Sequence, residues 1–117
     1  MCPSQILELS NEKKIQLARD PNTPPETLEV LATDENYYVR RWVAKHPNTS
    51  QEILKLFATD EYYLIREFVA QNPNTSQETL EVLATDGNSY VRYEVARNPN
   101  STELIRRLVL MTNEQNS

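Results

Sequence analysis

The sequence predicts an all-α fold, an α-solenoid of paired short helices. Three observations predict it. A 26-residue unit recurs three times without gaps, apolar residues recur at helical spacing inside each unit, and the 117 residues hold seven prolines but a single glycine. Self-similarity at such a period marks a stack of identical supersecondary units. One glycine is too few for a sheet-rich or loop-rich fold, whose turns and bulges call on it. The hydrophobic fraction of 38% is low for a compact globule. It suits a stack, where each unit buries only its neighbours' faces.

The chain divides accordingly. Residues 1–20 form an N-terminal partial repeat or cap. Residues 21–46, 47–72 and 73–98 are full repeats, and 99–117 form a C-terminal cap helix and tail, all within one domain spanning 1–117. The first and third repeats agree at 18 of 26 positions.

Each unit opens with Pro-Asn-Thr. Thr23, Thr49 and Thr75 stand three residues before Glu26, Glu52 and Glu78. That spacing is the capping box, in which the hydroxyl takes an orphan N–H and the glutamate reaches back to the cap residue. Pro24 then falls at the first helical position, where its missing N–H costs nothing. The same residues make Asn48-Thr49-Ser50, Asn74-Thr75-Ser76 and Asn100-Ser101-Thr102 match a glycosylation sequon. Turn and cap chemistry accounts for them.

The first helix carries Leu28, Leu31 and Ala32, repeated as Leu54, Phe57, Ala58 and as Leu80, Leu83, Ala84. This i, i+3, i+4 spacing is one helical face. Val30, Leu56 and Val82 widen the arc and predict neighbours on two sides, with the glutamates left to solvent. Thr-Asp closes the helix at Asp34, Asp60 and Asp86, placed to cap the second helix and favour its N-terminal dipole. Val39, Val43 and Ala44 and their counterparts make that helix's apolar face. Pro47, Pro73 and Pro99 end it. Asp86-Gly87 resembles a hairpin turn, but Glu35 and Glu61 occupy the glycine's position elsewhere, so no positive φ is required.

Helices this short are marginal alone, so stability must come from stacking. Arg107 in the partial fourth copy takes the place of Val30, Leu56 and Val82, and Glu94 takes the place of Trp42 and Phe68. Charge there reads as an end cap, and the solenoid as nearly whole.

The recurring pattern of Asp, four residues, Val-Arg, two residues, Val-Ala, then Asn-Pro resembles the variant leucine-rich repeat family, and is similar to HEAT-like repeats. It recurs as Asp34/Val39/Arg40, Asp60/Ile65/Arg66 and Asp86/Val91/Arg92, over about Leu17 to Leu108. The resemblance implies a right-handed superhelix in which one helix of each pair can be short or 3₁₀, serving as a binding scaffold. Some members carry a cysteine-bound iron–sulfur cluster. Here Cys2 is the single cysteine, so neither a cluster, a zinc cage nor an internal disulfide is expected.

No constellation supports catalysis or a cofactor. His46, the one histidine, has no partner for a triad and reads as a turn residue. Arg40, Arg66 and Arg92 recur in every repeat, which suits a ladder of structural pairs with Asp34, Asp60 and Asp86. Trp42, Tyr38, Phe68, Leu64 and Tyr90 lie beside the valines and read as packing between repeats.

The positions where the copies differ point to a partner. On the second helices, Tyr37, Arg41 and Lys45 share one face, as do Tyr63, Glu67 and Gln71, and Ser89, Tyr93 and Arg97. Aromatic and arginine side chains on such a stripe suit a protein-binding face. If the second helices line the concave side, the nine residues form one patch. The alternative is nucleic acid, gripped by Arg41, Lys45, His46 and Arg97 with tyrosines stacking on bases. Glu67 and the net charge of −5 count against it. With no signal-peptide or membrane-length apolar segment, a cytoplasmic monomer is expected.

Overall fold

A computed structural model describes residues 2–116 of the chain. Among the described residues the elements are nine α-helices and no strand. They are α1 (Pro3–Leu7), α2 (Asn11–Arg19), α3 (Pro25–Leu31), α4 (Tyr37–Lys45), α5 (Gln51–Phe57), α6 (Tyr63–Gln71), α7 (Gln77–Ala84), α8 (Ser89–Arg97) and α9 (Glu103–Gln115). Each full repeat supplies one short first helix (α3, α5, α7) and one nine-residue second helix (α4, α6, α8). Both helices of a pair are α-helical, so the allowance for a 3₁₀ member does not apply.

The core is one continuous strip. Leu28, Leu54 and Leu80 from the first helices meet Val39, Ile65 and Val91 from the second, all fully buried. The strip makes the molecule long, 47 × 22 × 17 Å, with a Cα radius of gyration of 14.8 Å. A compact domain of this length would have about 13 Å.

The two helix layers pack differently. Helices α2, α4, α6 and α8 lie directly against one another in sequence, whereas in the other layer α1 packs on α3 and α7 on α9 but α3, α5 and α7 barely touch one another. The second helices thus form the one layer that is packed without a break from α2 to α8. Leu56 and Val82, in the other layer, are accordingly 58% and 56% exposed. The expected second neighbour is missing at Leu56 and Val82, because α3, α5 and α7 barely touch one another, whereas Val30 is half-buried against the core. Arg107 therefore marks no special end cap, since its counterparts in the middle repeats face solvent as well.

The turns also differ from the expected capping boxes. Ser50 and Ser76 are the N-caps, accepting from the Ile53 and Thr79 N–H groups, and Pro24 caps α3 with Pro25 at the first helical position. The threonines one residue earlier are buried and face the opposite way. Thr23, Thr49 and Thr75 donate to the carbonyls of Leu17, Val43 and Val69 at 2.5–2.6 Å, and Ser101 to that of Val95. The hydroxyl thus satisfies an orphan carbonyl at the end of the preceding helix. Likewise, Asn36 and Asn88 cap α4 and α8. Asp34, Asp60 and Asp86 instead accept from the N–H two residues on, at 2.8–3.0 Å, and fold the turn leading into the cap. Among the described residues none has positive φ, Gly87 included.

Candidate binding face

Two side-chain ladders lock the second helices in register. In the first, the Arg40 Nε donates to Asp60 at 3.2 Å and Arg66 forks onto both Asp86 oxygens at 2.7 and 3.2 Å. A second guanidinium nitrogen of Arg40, Arg66 and Arg92 donates to the carbonyl of Asp34, Asp60 and Asp86 respectively, within the same repeat. The charge pairing therefore runs between repeats. Both ends substitute other groups. Lys14, 26 residues before Arg40, pairs with Asp34 at 2.6 Å, and Asn113 of α9 accepts from Arg92 at 2.7 Å.

The second ladder uses the residue before each proline. The Asn72 side chain donates to the carbonyls of Ala44 and His46, and Asn98 to those of Ala70 and Asn72. Each also accepts from the N–H two residues on. His46 does the same work with a ring. Its Nδ1 accepts from the Asn48 N–H at 3.0 Å, so Nε2 carries the proton and donates to the Asp20 carbonyl at 2.7 Å. Sequence marked His46 as a turn residue; it is also a buried link between repeats. Asn48, Asn74 and Asn100 likewise donate to carbonyls of the preceding repeat, at Pro21, Pro47 and Pro73.

With register set this way, the nine variable positions fall on the layer of second helices. Lys45, Tyr63, Gln71, Ser89, Tyr93 and Arg97 are exposed, while Tyr37, Arg41 and Glu67 are half-buried. The face has three zones. Tyrosines crowd the N-terminal ends of the second helices. Tyr37 meets Tyr38 and Tyr62 edge-on at 5.2 and 5.3 Å, and Tyr63 stacks with Tyr90 at 6.5 Å. Tyr38, Leu64 and Tyr90 were expected between repeats, yet they are exposed here. Sequence gave no sign of Tyr62 in this cluster, because the other repeats have asparagine there.

In the middle, Arg41 lies 5.2 Å over the Phe68 ring, and its Nε is buried without a hydrogen-bond partner. Trp42 and Phe68 are half-buried, as expected of packing residues. Burial pushes the Glu67 carboxyl above its ordinary value, and the nearby Glu94 carboxylate adds to the rise. Burial also pushes the Tyr37 phenol up, with Arg41 opposing.

At the C-terminal ends, Lys45 sits 4.3 Å over Trp42 and 5.1 Å over Phe68. Arg19 of α2 also sits over Trp42, at 4.9 Å. Arg19 is 26 residues before Lys45, so the period itself could have added it to the stripe. Arg97 lies over Tyr93 at 5.4 Å.

Among the described residues, no group of three or more His, Cys, Asp or Glu could hold a metal ion, and no helix is long and apolar enough to cross a membrane. Cys2 is exposed, its thiol 3.3 Å from the Ser4 hydroxyl, which holds it below the ordinary thiol value.

Comparison with known families agrees with the repeat. The family model described as Leucine Rich Repeat Variant domain matches residues 12–59, and the one described as Leucine rich repeat variant matches residues 63–88. No curated protein and no solved structure matches the chain.

Proposed function

Since the chain belongs to the leucine-rich repeat variant family, a family of helical repeats, we propose that it is a non-enzymatic scaffold that binds a protein partner along its concave face. One observation carries the reading. The conserved-looking chemistry within the repeat is consumed by the ladders, and the positions left variable lie together on one face, rich in tyrosine and arginine. Such side chains supply large contact area at low entropic cost and dominate interface energetics. The stacked helices hold them in place before any partner arrives, which lowers the ordering cost of binding. The same reading has the protein act as a monomer in the cytoplasm. Its ladder ends are already filled by Lys14 and Asn113.

A polyanion suits the face less well. Glu67 and Glu94 stand where a phosphate backbone would have to pass, and the chain carries a net charge of −5.

Affinity purification from the native cell tests the proposal, comparing the natural chain with a Tyr37→Ala, Tyr63→Ala, Tyr93→Ala triple variant of equal thermal stability. The expected result is loss of the proteins retained by the natural chain. Retention of the same set by the variant would place the binding surface elsewhere.

A further inference from the structure

Resting on the concave-face reading, we propose that the partner presents an extended segment whose charges run acidic, basic, acidic, with the basic side chain seated against Glu67 and Glu94.

The charges on this face are left unpaired. Among the described residues, Arg41, Lys45, Glu67, Glu94 and Arg97 enter no ion pair. The contrast with the adjacent ladder is informative, because there Asp34, Asp60 and Asp86 each meet a cation of the preceding repeat. Arg41 and Glu67 occupy equivalent positions on neighbouring helices, 26 residues apart, and still do not pair. Arg41 lies over Phe68 instead, with a buried Nε that has no acceptor. Glu67 faces a like charge in Glu94. The like charges of Glu67 and Glu94 are unfavourable in the free protein, and a ligand cation relieves them; Lys45 and the outer guanidinium nitrogens of Arg41 remain free to receive a ligand carboxylate.

The order along the stack sets the pattern. Cations come first, with Arg19 on α2 and Arg41 and Lys45 on α4. The carboxylates of α6 and α8 follow, and the run then turns along α8 to Arg97, one helical turn beyond Glu94. Packed helices lie about 8–10 Å apart, and an extended chain advances about 3.3 Å per residue. The face from α2 to α8 therefore spans about nine residues of partner. A uniformly charged segment meets repulsion at one zone or the other, which is how complementary fields give specificity.

Fluorescein-labelled peptides of about 12 residues test this by anisotropy at low salt. The set comprises an acidic–basic–acidic peptide, its charge-inverted partner, an all-acidic peptide and a poly-dT oligonucleotide. We expect the first to bind about tenfold or more tighter than each of the others. The Glu67→Lys, Glu94→Lys variant, checked for unchanged melting, should reverse the preference in favour of the all-acidic peptide. The proposal is overturned if the inverted peptide or the oligonucleotide binds tightest, if the variant leaves the ranking unchanged, or if no peptide binds below about 1 mM. If the ranking ignores the glutamate variant but collapses in the tyrosine triple variant, the charge pattern fails and the face stands. Insensitivity to both removes the face as well.

Discussion

Arg66 shows how much one side chain does in this repeat. It forks onto Asp86 of the next repeat and donates to the Asp60 carbonyl of its own. Its side chain and that of Asp86 are 19% and 9% exposed. Removing one member of such a pair leaves a buried charge uncompensated, so Arg66→Ala should cost about 3–5 kcal/mol in urea unfolding. Arg66→Lys should cost less, since it keeps the charge and loses the fork. His46 makes the opposite case. Asn72 and Asn98 perform its role, so His46→Asn should change stability by under about 1 kcal/mol, whereas His46→Ala, which leaves the Asp20 carbonyl unmet, should cost about 1–3 kcal/mol. Glu67 gives a pH test. Its carboxyl is raised in the fold, so the folded state holds its proton more tightly than the unfolded chain. Stability then falls as pH rises from the ordinary glutamate value through the raised one. Glu67→Gln should therefore raise the melting temperature at pH 7 and have little effect at pH 4. An equal shift at both pH values would count against this electrostatic account.

At the scale of the helix, the two layers are not equivalent. The second helices carry the register and the first helices carry the buried leucines. Leu56 on α5 and Val82 on α7 look like core residues in the sequence, since each extends an apolar arc. Both face solvent because α3, α5 and α7 barely touch one another. Leu56→Glu and Val82→Glu should each shift stability by less than about 0.5 kcal/mol. Leu54→Ala, two positions away and fully buried, should cost about 2–5 kcal/mol. Equal losses at Leu54 and Leu56 in denaturant titration would contradict this layer assignment. Helix α9 closes the stack differently from the repeats. It runs 13 residues without the internal turn and sets Asn113 where a repeat would offer an aspartate. Its apolar residues leave a cleft of about 620 Å³ against α8, lined by Tyr93, Ala96, Val109 and Leu110.

For the whole molecule, contacts run only between neighbours, so stability is close to a sum of repeat and interface terms. The terminal helices have one neighbouring pair each, and the middle repeats have two. Amide exchange should accordingly be fastest in α1 and slowest in α6 and α8, whose mutual packing is the most extensive. Uniform protection along the chain would indicate a single cooperative unit instead. The elongated shape follows from the same linear wiring, and it spreads the second-helix face over α2, α4, α6 and α8.

The sequence by itself determined the fold class, the 26-residue unit, the helix pairing and the family. A local spacing repeated three times leaves no other reading, because apolar period and proline stops act within a few residues of each other. It also marked the arginines and aspartates as structural, since a ladder needs a copy in every repeat. Only the tertiary structure decided where their bonds go. Whether Thr49 caps the helix after it or the one before depends on which carbonyl the turn brings near. Whether Leu56 is core depends on how closely α3, α5 and α7 approach one another. Whether Arg41 and Glu67 pair depends on the gap between two helices and on the Phe68 ring that occupies it. These outcomes depend on distances between residues about 26 apart in the chain, and no local pattern contains them.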